Sequence, residues 1–240
     1  MSEKITCKKC DNHACFIKKT LPSSWLNRVE LKKFQIKHLA KDTIFREDGY
    51  VQGVYFIKTG KVKIIAKGAE NKEQIVRLAV EGHVLGHRGL GDDKYPVSAI
   101  ACIDTTVCFI ENDTLYDAFM DNPKLVLQMM EFYSRELRKT EIRMKYLTQM
   151  NVQEKIAEAL LYVKHVFGVN KKDGTLNVCF TRKEIADLTG TLAEQVSRTL
   201  GEFENKKLIA KEGKGIKLIG EKKLQEIVVK YGIEQYTNQK

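Results

Sequence analysis

The sequence predicts an α+β chain in two parts, a β-rich roll followed by helices that end in a helix pair and a hairpin. Three observations predict it. Residues 32–111 carry short β-branched runs broken by glycines. Residues 112–150 follow a helical pattern, and residues 181–218 hold two helix starts ten residues apart and then two short apolar strands. At 240 residues, with 43% hydrophobic and 30% charged, the chain is long enough for two domains with cores of their own. Its 41 Lys and Arg against 31 Asp and Glu leave a net charge of +10, which favours an anionic partner. No apolar run approaches the length of a membrane span, and the lysine-rich start lacks the apolar core of a signal peptide. A cytoplasmic protein with no membrane partner is therefore expected.

Residues 1–31 form an N-terminal segment marked by cysteines. Cys102, Cys108 and Cys179 lie in apolar, strand-like stretches, where burial as small hydrophobes is the ordinary reading. Cys7, Cys10 and Cys15 instead crowd into CKKCDNHAC, a polar and basic stretch with nothing apolar to bury a thiol against. Neighbouring lysines there favour the thiolate that a metal needs. On residue types alone three thiolates leave a metal one ligand short, and two readings need no other segment: a compact zinc site of Cys7, Cys10, His13 and Cys15, and a metal-free redox pair.

From residue 32 to 111 the runs DTIF, GVYFIKTGKVKIIAK, EQIVRLAV and PVSAIACIDTTVCFI suggest an all-β roll or barrel. Thr59-Gly60-Lys61 is read as a hairpin turn between two of them. His83 and His87, four apart beside Glu81, raise a cupin-like metal enzyme. Histidines in glycine-rich turns are expected at the surface, however, and no enzyme is expected.

Residues 112–150 form the long helix. Within it Val126, Met130, Tyr133, Leu137, Thr140, Met144 and Leu147 alternate by four and three, a heptad seam that predicts a partner helix. For its first turns, packing on the roll explains the stripe equally well. Asn151 with Glu154 then makes a capping box and opens a last domain, 151–240, whose first helix stops at Gly168. LNVCF reads as a returning strand.

Thr181 with Glu184, and Thr191 with Glu194, each set a hydroxyl and a carboxylate three residues apart, and Gly190 falls where the first helix must stop. This is a helix-turn-helix. Leu192, Val196, Leu200 and Phe203 recur at helical spacing toward a core, which leaves Glu194, Ser197 and Arg198 on the opposite face. Arginine can give two hydrogen bonds to guanine, glutamate can accept from cytosine, and serine can do either. The following LIAKEGKGIKLIG is a hairpin, so the unit is a winged helix.

From about Cys7 to the end of the wing, the sequence resembles the CRP/FNR family of bacterial transcription regulators. The Glu194-x-x-Ser197-Arg198 pattern is similar to the recognition helix of the FNR branch; the CRP branch carries an arginine ahead of its glutamate, where this chain has Ala193. The resemblance implies a cyclic-nucleotide-binding-like jelly roll as sensor, a long dimerisation helix and a C-terminal winged helix-turn-helix. It implies a homodimer on double-stranded DNA, at palindromes with TTGA-type half-sites, with RNA polymerase as a further partner. Glu194, Ser197 and Arg198 are then expected to read bases, while Thr181, Arg182, Thr191 and Lys214 hold phosphates.

The resemblance further implies an oxygen-labile 4Fe-4S cluster on Cys7, Cys10 and Cys15, with Cys108 where the distant fourth ligand is expected. Cys7 and Cys10 keep the family spacing, whereas four residues separate Cys10 from Cys15 where the family pattern has five. Cyclic nucleotide is not expected. The stretch EGHVLGHRGLGDDKYPVSAIA lacks the family's ribose-binding glutamate and has Lys94-Tyr95-Pro96-Val97 where its phosphate-binding arginine belongs; Arg88 and Lys94 are basic but match no motif. The alternative is a regulator gated by a cyclic nucleotide or another small molecule.

Overall fold

A computed structural model describes residues 6–231. The chain forms two compact units whose boundary falls inside the long helix, between Arg138 and Lys139.

In the first unit two helices, α1 (Phe16–Thr20) and α2 (Ser23–Lys32), precede the strands β1 (Phe34–His38), β2 (Thr43–Phe45), β3 (Gly53–Thr59), β4 (Lys61–Lys67), β5 (Glu73–Val80), β6 (Val84–Leu85), β7 (Ser98–Ala101) and β8 (Thr105–Glu111). The strands make two four-stranded sheets, ordered β1-β8-β3-β6 and β2-β7-β4-β5. Strand alternation sorts the side chains into two cores. Ile57, Val62, Ile64, Leu85, Ala99 and Val107, from both sheets, meet between them. Val54, Phe56 and Ile110 point the other way and are covered by Ile17, Leu21, Trp25, Leu26 and Val29 of the two helices. Each such large apolar side chain contributes about 1.5–3 kcal/mol on burial, so the N-terminal helices are held firmly to the roll.

Thr59-Gly60-Lys61 is not a hairpin. β3 and β4 lie in different sheets, so this turn is the corner that carries the chain from one sheet to the other. Gly60 has φ +122°, and a Cβ there would stand 2.2 Å from Thr105 Oγ1. The local turn chemistry is the same for a hairpin and a corner; the distant strands β8 and β7, which pair with β3 and β4, decide between them.

After β8 come α3 (Asn112–Asp121) and the long α4 (Pro123–Gln149). Leu125 and Met129 of α4 are buried, whereas Met130, Leu137 and Met144 remain 63%, 60% and 64% exposed. Val126 and Thr140 are also exposed and Leu147 is half-buried. Tyr133 turns toward the roll, its hydroxyl bonded to the carbonyl of His87.

The second unit continues with α5 (Val152–Phe167), α6 (Arg182–Thr189), α7 (Ala193–Asn205), the strands β9 (Ile209–Glu212) and β10 (Gly215–Leu218), and α8 (Glu221–Val228). Asn151 caps α5: its side chain accepts from the Glu154 amide at 3.0 Å, and Glu154 accepts from the Asn151 amide at 2.9 Å. The same carboxylate accepts from the Tyr231 hydroxyl at 2.8 Å and meets Lys230 Nζ at 2.7 Å, so the C-terminal turn is fastened to the start of α5. LNVCF forms no strand. It makes isolated bridges at Leu176 and at the preceding Thr175, while Leu176, Val178 and Phe180 alternate inward. A run of alternating apolar residues packs this way whether or not a neighbour is free to pair.

Candidate nucleic-acid interface and thiol site

The helix pair is built as its local chemistry dictates. Thr181 Oγ1 accepts from the Glu184 amide at 3.1 Å, and Glu184 accepts from the Thr181 amide at 2.8 Å. Gly190 ends α6 at φ 65°, ψ 40°, a left-handed conformation that glycine adopts without strain. The second cap is elsewhere than Thr191. α7 begins at Ala193, Leu192 is its N-cap residue, and the Gln195 side chain accepts from the Leu192 amide at 3.2 Å. Thr191 instead shares a hydroxyl hydrogen bond with Thr189 at 2.8 Å. Because Leu192 precedes the helix, it leaves the apolar stripe and is 66% exposed. Val196, Leu200 and Phe203 are buried as expected.

Opposite that stripe Glu194, Ser197 and Arg198 lie together and exposed, at positions i, i+3 and i+4 of one helix face. Ser197 Oγ donates to the Ala193 carbonyl at 2.9 Å, which leaves its lone pairs outward. The β9–β10 hairpin turns at Gly213 and Lys214, with Glu212 paired to Gly215, and Lys214 is exposed at its tip. Thr181 is exposed at the start of α6 and Arg182 half-buried beside it.

The N-terminal thiols have a sheltered place, contrary to the expectation drawn from their polar segment. Cys7, Cys15 and Cys108 all pack against the core under α1 and α2. The loop carrying Cys10 is pinned, since the buried Asn12 amide donates to the carbonyls of Ile57 and Lys58 at 2.9 and 3.1 Å. Lys18 Nζ donates to the Cys10 carbonyl at 2.7 Å, and the Cys7 amide to Glu30 at 2.9 Å. Cys108 is reached from β8, where it faces Gln35 of β1 and Phe56 of β3.

Sequence reasoning missed Lys33, which is buried and donates to Cys7 Sγ at 3.1 Å. Burial pushes the Cys108 thiol up to about 11 against the pull of Lys33, and the charges of Cys15, Cys7 and Cys10 push it further. Burial likewise raises Cys15, with Cys7 and Cys10 adding to it. Desolvation, not the neighbouring lysines, therefore dominates these two thiols. The four sulfurs influence one another, yet among the described residues no three His, Cys, Asp or Glu side chains close to the distances a single metal ion requires. His13 is exposed.

The interior of the roll is largely filled. Phe45, Tyr55 and Tyr95 stack on one another, and Tyr95 donates to the Gly53 carbonyl at 2.8 Å. Beside them a small cleft is lined by Arg77, His87, Arg88 and Tyr95, with room for roughly one water. Lys94 is exposed and outside that lining. His87 is not a surface residue as expected but only 2% exposed, its ring against Phe132 and Tyr133 of α4. Burial, with Arg77 and Arg88 adding to it, holds its imidazole well below the usual histidine range. Glu81 is exposed and His83 half-buried, and they form no shared site with His87 among the described residues.

A β-roll joined through a long helix to a winged helix-turn-helix defines a DNA-binding transcription regulator, not an enzyme. The family described as "Cyclic nucleotide-binding domain" matches residues 35–122, and "Crp-like helix-turn-helix domain" matches residues 154–227. The chain is 29% identical over 177 residues to the transcriptional activator protein Anr of Pseudomonas protegens, covering 73% of this chain and 72% of that one. It is 26% identical over 227 residues to the fumarate and nitrate reduction regulatory protein of Vibrio cholerae, covering 93% and 90%. The fold is shared with the solved structure of FixK2 from Bradyrhizobium japonicum, with a TM-score of 0.72 at 23% identity over 81% of this chain and 96% of that one. The chain is homologous to the FNR and Anr regulators, which places that homology on the FNR-like branch of the CRP/FNR regulators.

Proposed function

We propose that the chain is an FNR-type regulator that binds palindromic double-stranded DNA with TTGA-type half-sites as a homodimer and recruits or contacts RNA polymerase there. The observation that carries this reading is the face of α7: Glu194, Ser197 and Arg198 are exposed side by side over a buried Val196, Leu200 and Phe203. Arg198 and Glu194 would pair a guanine and a cytosine, with Ser197 between them. Thr181, Arg182, Thr191 and Lys214 would hold phosphates; the hydroxyls and backbone amides of Thr181 and Thr191 are already engaged within the turn, so Arg182 and Lys214 bring the charge that holds them. For the dimer, Val126, Met130, Leu137, Thr140 and Met144 present an exposed stripe along α4, Leu147 lies half-buried on the same seam, and Tyr133 ties the stripe's first turns to the roll. A two-fold axis along that stripe would set two copies of α7 about one DNA turn apart, near 34 Å.

The signal is assigned to the thiol site. Cys7, Cys10, Cys15 and Cys108 are the donors that would hold a 4Fe-4S cluster, and soft thiolates are what such a cluster takes. The shelter of Cys7, Cys15 and Cys108 under α1 and α2 and the buried ammonium of Lys33 at Cys7 fit a group whose thiolates bring negative charge. Bound there, the cluster supplies a centre that oxygen degrades. The chain's own residues hold the loop through Asn12 and Lys18 and connect it to the sheet that α4 covers. Selection of the protein's binding site from randomised duplex DNA tests the reading: a palindrome of TTGA-type half-sites is expected, and an asymmetric or unrelated site would refute it.

A further inference from the structure

The second unit holds a half-buried arginine that neither the DNA-reading face nor the thiol site uses. Arg143, in the last turns of α4, donates from Nη2 to the carbonyl of Leu188 at 3.1 Å. That carbonyl ends α6 two residues before Gly190, where a helix leaves its last acceptors without intrahelical partners. The guanidinium lies 4.5 Å over the ring of Tyr162 on α5. Its Nη1 is buried with no hydrogen-bond partner, and so is Oε2 of Glu158, the acid on α5 whose charge faces it.

A guanidinium and a buried acid that make no hydrogen bond to each other contribute little to stability, and apolar residues of the same size would often serve a core better. What the arginine does provide is direction. One planar group fixes the end of α4, the face of α5 and the last turn of α6 against one another. From Leu188 onward the chain is stiff: Thr189 Oγ1 bonds the Ile185 carbonyl at 2.8 Å and the Thr191 hydroxyl at 2.8 Å, and the Thr191 amide donates to Ala186 at 3.2 Å. A shift at Leu188 is therefore passed to the start of α7 and is not absorbed in the turn.

We propose that Arg143 is a positioning residue for DNA reading, tethering the α6–α7 turn to the long helix so that the orientation of the Glu194–Arg198 face follows the position of α4. The proposal rests on the role given to α7 above. It is tested in the full-length protein with Arg143→Met, Arg143→Lys and the double variant Arg143→Met/Glu158→Gln, which removes the guanidinium and the acid together. Each is measured for melting temperature, for affinity to the palindrome that the wild type selects from randomised DNA, and for affinity to a scrambled duplex. The double variant should melt no lower than the wild type and bind scrambled DNA equally well, yet lose about tenfold on the palindrome, the scale of one hydrogen bond from a charged donor. Arg143→Lys, which keeps the donor and the charge, should recover part of that loss. A double variant that discriminates like the wild type would overturn the proposal. So would palindrome and scrambled affinities falling together with the melting temperature, the mark of a merely structural role. A wild type that selects no palindrome would sink the reading of α7 itself.

Discussion

Arg198→Ala isolates the contact on which sequence reading depends. Arg198 is exposed and makes no hydrogen bond or ion pair with another described residue. Its removal should therefore leave folding stability within about 0.5 kcal/mol, the usual range for a surface position. On DNA the loss is one two-pronged contact to guanine, about 1–3 kcal/mol. A two-fold dimer makes that contact in both half-sites, so affinity for the palindrome should fall by about 2–6 kcal/mol, roughly 30-fold to 20,000-fold. The assay is titration of fluorescent duplexes carrying the palindrome or each single-position change in both half-sites, repeated over a range of salt. The variant should stop distinguishing the bases at one position and keep the wild-type salt dependence. A uniform loss on every duplex, with the salt slope reduced by about 1 for each contact removed, would show a phosphate contact and refute the base-reading role.

Further outcomes follow from particular side chains. Leu200→Ala, at a position with no exposure, should destabilise the protein by about 2–5 kcal/mol in denaturant unfolding. Leu137→Glu with Met144→Glu places charges on the exposed stripe of α4; sedimentation should find a monomer that folds but binds a palindrome weakly, and an unchanged dimer would remove the stripe from the interface. Cys108→Ser should lose bound iron on anaerobic purification while keeping its fold. Glu158→Gln concerns pH. Burial raises the Glu158 carboxyl, with Arg143 only partly opposing it, so the folded state holds that proton more tightly than the unfolded state does. Its stabilising contribution is complete below the unfolded carboxylate range and disappears as pH rises through the raised value. The variant should therefore gain melting temperature over the wild type as pH increases toward neutral; a constant gap would contradict the buried, proton-holding acid.

The legible parts of this chain were those whose cause is local. The spacing of Val196, Leu200 and Phe203 fixes a helix face, and the caps at Asn151 and Thr181 follow from one side chain and one amide three residues on. Where partners come from afar, local pattern runs out. Thr59-Gly60 has the chemistry of any tight turn, and only the pairing of β3 with β8 and β4 with β7 makes it a corner. The α7 start lies at Ala193, with Gln195 accepting from the Leu192 amide and the Thr191 hydroxyl turned to Thr189, so Leu192 falls outside the core. The thiols looked exposed because their own segment is polar; the surface that shelters them belongs to β3, β8 and the two helices. Lys33 and Arg143 carried no motif. Each is a single basic residue among many, and its meaning lies in what the fold brings to it.

The most direct test of the whole account is the affinity of anaerobically purified protein for a TTGA-type palindrome, measured with its visible absorption and iron and sulfide content before and after brief exposure to air. The account predicts a brown protein that binds the palindrome tightly, then bleaches and releases it in air. A colourless, iron-free protein whose affinity is the same on both sides of the exposure would contradict the assignment of the signal to the four cysteines.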